Sequence, residues 1–223
     1  MLTRLIGVAL LAGLLAGVLA AALQTFALEP LILKAETYET APTVHDGKAM
    51  AMPVQPVVPA PLRIPITFVA TIGAAVGFGL MLLATMVGSE ARIDWRTGLA
   101  WGACGFAACG LAPAFGLAPA LPGAAEGDLT LRQLWWMGTA FATAGGLWLI
   151  LHTSKTWMVA AGVVLLALPH LIGAPHPPAF TSTAPAELAS LFTARSLATQ
   201  SVLWLALGGF SGWFWSRGQA GMA

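Results

Sequence analysis

Charge is what this sequence has least of. Only 9% of its 223 residues are Asp, Glu, Lys or Arg, against roughly 25% in an ordinary soluble domain. A deficit that large, spread along the whole chain, excludes a conventional water-facing surface. The net charge of +1 excludes the basic field that nucleic-acid binding requires. Cysteine is scarce too. Cys104 and Cys109 lie in one apolar stretch on different helix faces, which excludes a disulfide framework and leaves them as small packing residues. The sequence contains no G-x-x-x-x-G-K-[ST], H-E-x-x-H or G-x-S-x-G pattern, so no constellation for nucleotide hydrolysis, zinc proteolysis or serine hydrolysis is present. No enzyme is expected. No pair of acids falls inside an apolar stretch, so no proton relay is evident.

What the chain does have is apolar residues, glycine and tryptophan. It is 58% hydrophobic with mean hydropathy +0.82. The expectation is an all-α integral membrane bundle, a single domain over residues 1–223, with about six transmembrane helices. The apolar stretches run over residues 5–28, 66–88, 97–111, 133–151, 157–172 and 194–216; the third is the shortest. The first follows Arg4 like a signal peptide, but it is too long for a signal h-region of about 7–15 residues. It is read as a membrane span. Between the first two spans lies an outer loop, residues 29–65, with Glu36, Glu39, His45, Asp46 and a run of prolines at 53, 56, 59, 61 and 65. Proline lacks an amide donor, so the second half of this loop is expected to be extended. Ala184-Pro185-Ala186-Glu187 is expected to open a short helix before the last span.

Six spans put the N-terminus, the turns 89–96 and 152–156, and the tail on one side. These short segments hold Arg4, Arg92, Arg96, Lys155 and Arg217. Lys and Arg concentrate on the cytoplasmic side, so both termini are expected there. Trp95, Trp157, Trp213 and Trp215 would mark that boundary, and Trp135 and Trp136 the opposite one. Gly13-x-x-x-Gly17, Gly73-x-x-x-Gly77, Gly98-x-x-x-Gly102 and Gly208-x-x-x-Gly212 each present a bare face on which helices can dock closely. Gln24, Gln133 and Gln200 are expected to make interhelical hydrogen bonds.

The most polar apolar-segment end is Leu168-Pro169-His170-Leu171-Ile172-Gly173-Ala174-Pro175-His176-Pro177. Pro169 frees a carbonyl and kinks the helix, and two imidazoles follow. Imidazole is a good ligand for cobalt, nickel, zinc and copper. His170 and His176 are therefore candidate metal ligands at the outer mouth, with Glu36, Glu39, His45 and Asp46 on the same side to collect cations. The bland reading makes His170 a helix-end hydrogen bonder and the acids a solvated loop. His152, beside Lys155, reads as an interfacial anchor.

Several of these stretches, in order, resemble the CbtA family, described as cobalt transporter membrane subunits of bacteria. They are Leu11-Ala12-Gly13-Leu14-Leu15-Ala16-Gly17, Ala35-Glu36-Thr37-Tyr38-Glu39, Leu111-Ala112-Pro113-Ala114 with Leu121-Pro122-Gly123, Arg132-Gln133-Leu134-Trp135-Trp136-Met137-Gly138, and the two-histidine motif. The resemblance implies a multi-pass protein of the bacterial cytoplasmic membrane, taking part in uptake of cobalt or a similar divalent ion. It implies transient Co2+ or Ni2+ rather than a resident cofactor, and other membrane subunits, among them a small single-span CbtB-like partner with a histidine tail. Relatives are described with one span fewer and with several histidines in the first loop, where this chain has only His45. A rival expectation is an assembly subunit that docks through its glycine faces and transports nothing itself.

Overall fold

The structure is a computed structural model that describes residues 1–39, 44–45, 48–49, 60–89 and 92–220. It is a helical bundle. In order come α1 (Leu2–Leu23), α2 (Glu29–Glu39), α3 (Ala60–Gly88), α4 (Trp95–Phe106), α5 (Ala112–Ala114), α6 (Leu129–His152), α7 (Thr156–Ile172) and α8 (Ala186–Ala220). Val44–His45 pairs antiparallel with Lys48–Ala49 as a two-residue ladder.

Three helical segments are long and apolar enough to cross a membrane: Leu2–Tyr38, Pro61–Gly88 and Leu129–His152, with Thr156–Ile172 a shorter apolar helix. Among the described residues, the stretches 97–111 and 194–216 do not meet that length and hydropathy. Large apolar side chains face outward, including Val69, Phe141, Leu171 and Ile172, as on a surface meant for lipid rather than water.

Several helices run past their expected limits. Residues 29–39 are α2, not loop, and α1 continues into α2 through a π-turn, Gln24–Leu28. α3 begins at Ala60 and carries Pro65 inside its second turn; Pro61 occupies the first helical turn, where a missing N–H costs nothing. The third apolar stretch likewise continues through a second π-turn, Ala107–Leu111, into α5. The short helix expected at 184–187 is instead the start of the 35-residue α8. The two π-turns share a layout. In each, the residue after the turn reaches back five positions, Glu29 N–H to the Gln24 carbonyl and Ala112 N–H to the Ala107 carbonyl. A proline comes next, Pro30 or Pro113. A proline ring collides with the carbonyl four residues back, and a widened turn makes room for it. The prolines thus mark altered pitch, not helix ends.

The packing is built on small residues. α1 buries a stripe of Val8, Ala9, Ala12, Gly13, Ala16, Gly17, Ala20 and Ala21 against α3 and α8. A Cβ on Gly13 would sit 2.6 Å from Val76 Cα, and one on Gly17 2.7 Å from Ile72 Cα. The glycine pairs of α4 and α8 face each other: a Cβ on Gly98 would strike the Gly208 carbonyl, and one on Gly212 the Asp94 carbonyl. α6 and α7 cross at Gly146 and Gly162, each 2.7 Å from the other's carbonyl oxygen if given a Cβ. Gly73 and Gly77 face open space, with nothing within 4 Å.

These contacts run α1, α3, α4, α6, α7 and α8 in alternating directions and bring both chain ends together. Arg4 donates to the Trp215 carbonyl, and its guanidinium lies 4.3 Å from the Trp215 ring. Arg217 stacks on Trp213 at 3.9 Å and Arg96 lies 5.3 Å from Trp95. Asp94 caps α4 at this end, accepting from Arg96 and Thr97 N–H at 2.9 and 3.0 Å. Those amide bonds, from Thr97 first, hold its carboxyl below the ordinary carboxylate range. His152 stacks on Trp148 at 4.1 Å and meets Trp101.

Candidate functional site

The opposite end carries a cap. Leu31 and Ala35 of α2 pack with Leu121, Ala184 and Leu188. The segments 117–128 and 173–185 are stitched together by Ala125 N–H to the Thr181 carbonyl and Thr183 N–H to the Gly123 carbonyl, and Thr193 Oγ1 of α8 donates to the Pro119 carbonyl. Arg63, in the first turn of α3, pairs with Glu36 of α2 at 2.6 Å. Arg195 of α8 donates to the Ala27 carbonyl at 3.2 Å.

The two-histidine motif belongs to this end. α7 runs through Pro169 to Ile172 and stops at Gly173, whose φ of +86° suits glycine. Pro169 is buried. Its carbonyl accepts from Gly173 N–H at 3.0 Å and from Trp135 Nε1 at 3.2 Å. Trp135 therefore ties α6 to the end of α7. His170 is exposed and lies edge-on to Trp135 and Phe115, each 6.1 Å away between ring centres. His176 is also exposed, 5.3 Å from the Phe180 ring, with its backbone against Gly127. Both imidazoles are thus exposed beside aromatic rings.

Of the other candidate ligands, Glu36 is engaged by Arg63. His45 lies in the short ladder and Glu39 at the end of α2; their side chains, and Asp46 altogether, lie outside the described residues. Among the described residues no three His, Cys, Asp or Glu side chains converge as a metal site. Among the described side chains, His170, His176 and Glu36 share the capped end of the bundle, not a coordination sphere.

The sequence reading passed over a cavity of about 710 Å³ beside this cap. It is an open groove bordered by the second π-turn, α5, the start of α6 and α8, and Cys109, Glu126, Arg132, Gln133 and Gln200 line it. Glu126 and Arg132 pair at 2.5 Å. Gln24 makes the interhelical bond expected of it, accepting from Thr71 Oγ1 at 2.9 Å. Gln133 and Gln200 face the cavity instead. Their shared signal was legible: both glutamines fall within a few turns of the same end of the bundle.

No curated protein and no solved structure matches this chain. The profile of one family, described as probable cobalt transporter subunit (CbtA), matches residues 2–216, from the first turn of α1 to the Arg–Trp end of α8. The chain belongs to the CbtA family.

Proposed function

We propose that this protein is a membrane subunit for uptake of cobalt or a similar divalent cation, with the capped end as its collecting face. On this reading six helices cross a bacterial cytoplasmic membrane. The Arg–Trp end, which gathers Arg4, Arg92, Arg96 and Arg217, lies in the cytoplasm by the positive-inside rule. The observation that carries the proposal is the arrangement of the capped end: His170 and His176, both exposed, share it with the Glu36 carboxylate of α2. Glu36, Glu39, His45 and Asp46 gather the ion, and His170 and His176 take it up. Separated imidazoles hold a cation weakly, which suits a cargo that must leave again. A small single-span subunit with a histidine tail is the partner this reading calls for. The test is cobalt uptake in cells carrying His170→Ala and His176→Ala at equal membrane levels. Reduced uptake is expected, and unchanged uptake in both removes the histidines from the path.

A second reading, an assembly subunit without transport of its own, is favoured by one observation. Gly73-x-x-x-Gly77 on α3 has the form of a helix-docking face, and a Cβ at either glycine would meet nothing within 4 Å among the described residues. Purification from native membranes separates the two readings: a large stable complex with no transport in vesicles supports assembly.

A further inference from the structure

The arginines at the two ends of the bundle are spent differently. At the capped end Arg63 and Arg132 each pair with a glutamate, and Arg195 donates to a backbone carbonyl. At the other end Arg4 is held by the Trp215 carbonyl, and Arg92 reaches Asp94 at 3.5 Å. Arg96 and Arg217 are the exceptions: neither guanidinium has a carboxylate or carbonyl partner among the described residues. Asp94, the one acid described at that end, is already engaged by Arg92 and by the Arg96 and Thr97 amides. Arg96 and Arg217 are exposed and lie over exposed indoles, Arg96 at 5.3 Å from the Trp95 ring and Arg217 at 3.9 Å from the Trp213 ring. A guanidinium stacked on a ring keeps its N–H edge for another partner.

Those two indoles border one groove. It is apolar, open, about 670 Å³ in volume, and runs between α4 and α8. Trp95 and Trp213 stand at one end and Val202 at the other, with Leu99, Ala206 and Gly209 between them. No charged, amide or hydroxyl side chain lines it. Close backbone contact sets the two tryptophans level with each other: a Cβ on Gly212, the residue before Trp213, would lie 3.1 Å from the Trp95 nitrogen. Glycine also keeps the groove hollow, since a Cβ on Gly209 would lie 3.3 Å from the Leu99 side chain. From Val202 to Trp213 the helix rises about 16 Å at 1.5 Å per residue, close to half of the roughly 30 Å hydrocarbon core. Tryptophan sits at the headgroup level, so the groove descends from there through one leaflet.

An apolar groove one leaflet deep, with two unpaired cations at its headgroup end, is complementary to a phospholipid of net negative charge. Arginine offers a phosphate parallel N–H donors, and basic sites between membrane helices take anionic headgroups. A zwitterionic lipid brings its own cation, which competes with the arginines for its phosphate. We infer that α4 and α8 hold an anionic phospholipid, with an acyl chain in the groove and the phosphate on Arg96 and Arg217. The lipid braces the α4–α8 crossing from outside. The inference rests on the reading that these helices cross a membrane, and not on what the protein transports.

The experiment is native mass spectrometry of the full-length protein released from detergent micelles. The micelles carry equal amounts of phosphatidylglycerol and phosphatidylcholine with identical acyl chains. Each guanidinium is expected to favour the anionic lipid about fivefold, so the parent should retain it roughly 25-fold over the zwitterionic one. Arg96→Gln and Arg217→Gln, both at exposed positions, should each lower that ratio about fivefold. Excess glycerol phosphate, a headgroup without chains, should leave the lipid in place. A parent ratio near one overturns the inference, whether or not the variants fold. A ratio unchanged in both variants overturns it too, because the lipid then sits elsewhere. Displacement by glycerol phosphate overturns the role of the groove and leaves the arginines as a site for free phosphate. Washing the source membranes with alkaline carbonate separates this inference from the reading beneath it. Protein released by the wash overturns both, whereas protein that stays but shows no preference overturns the lipid site alone.

Discussion

Two glycine motifs identical in form should respond oppositely to alanine. A Cβ on Gly98 would strike the Gly208 carbonyl and lie 3.3 Å from Gly212 Cα. These are backbone atoms, so no rotamer change relieves the overlap, and α4 must back away from α8. A retreat of about 1 Å forfeits up to half of each dispersion contact along the crossing, and overpacking of this kind typically costs about 1–3 kcal/mol. The better helix propensity of alanine offsets about 1 kcal/mol of that. Gly73 has nothing within 4 Å, so Gly73→Ala keeps only the propensity gain, about 0.5–1 kcal/mol. The propensity gain is common to both, so the two variants should differ by the overpacking cost, roughly 1–3 kcal/mol, with Gly98→Ala the less stable. The assay is unfolding in mixed detergent micelles followed by tryptophan fluorescence, for which Trp204, buried beside Gly102 and Gly105, is a local reporter. Equal stabilities, or a reversed order, would refute the assignment of the α4–α8 crossing.

Three further outcomes follow from the same geometry. Trp135→Phe keeps the ring beside His170 but deletes the bond to the Pro169 carbonyl; it should cost about 0.5–1.5 kcal/mol, read by the same unfolding assay. Arg4→Gln should free the ends of α1 and α8, which amide exchange near Trp215 would report, and Arg4→Lys should not rescue it, since the planar stacking on Trp215 is lost. Asp94→Asn should lower stability at neutral pH. The Asp94 carboxyl is held below its ordinary value in the folded protein, first by the Thr97 amide, so its contribution is full above the usual carboxylate pKa of about 3.9 and fades as pH falls through the lowered value. Wild type and variant should converge in acid, and a gap that widens there would contradict the capping role.

The helical architecture was legible because lipid-facing helices write themselves as long apolar runs. Their limits were not. Glu29, Pro30 and the charges after them looked like the start of a loop, yet a π-turn carries the helix through to Glu39. Pitch is a property of backbone pairing that composition does not encode. The docking of Gly13 and Gly17 was visible from spacing on one helix. The Gly146–Gly162 crossing was not, because its glycines belong to two different helices. The histidine motif stood out, but its real neighbours, Trp135, Phe115 and Phe180, come from elements that only folding brings near. Likewise three glutamines looked alike in sequence, and only Thr71 opposite Gln24 separates them.

The 35 residues of α8 make a rod of about 52 Å at 1.5 Å per residue, longer than a bilayer's hydrocarbon core. One end is clamped in the cap by Leu188 and the other is gripped by Arg4 through Trp215. Gln200 and Trp204 ride on it in between. Where it crosses α4, glycine backbone meets glycine backbone, with Trp204 laid over Gly105 and Leu99 set against Gly209. α8 is thus one unbroken strut that fixes the distance between the capped end and the arginine end.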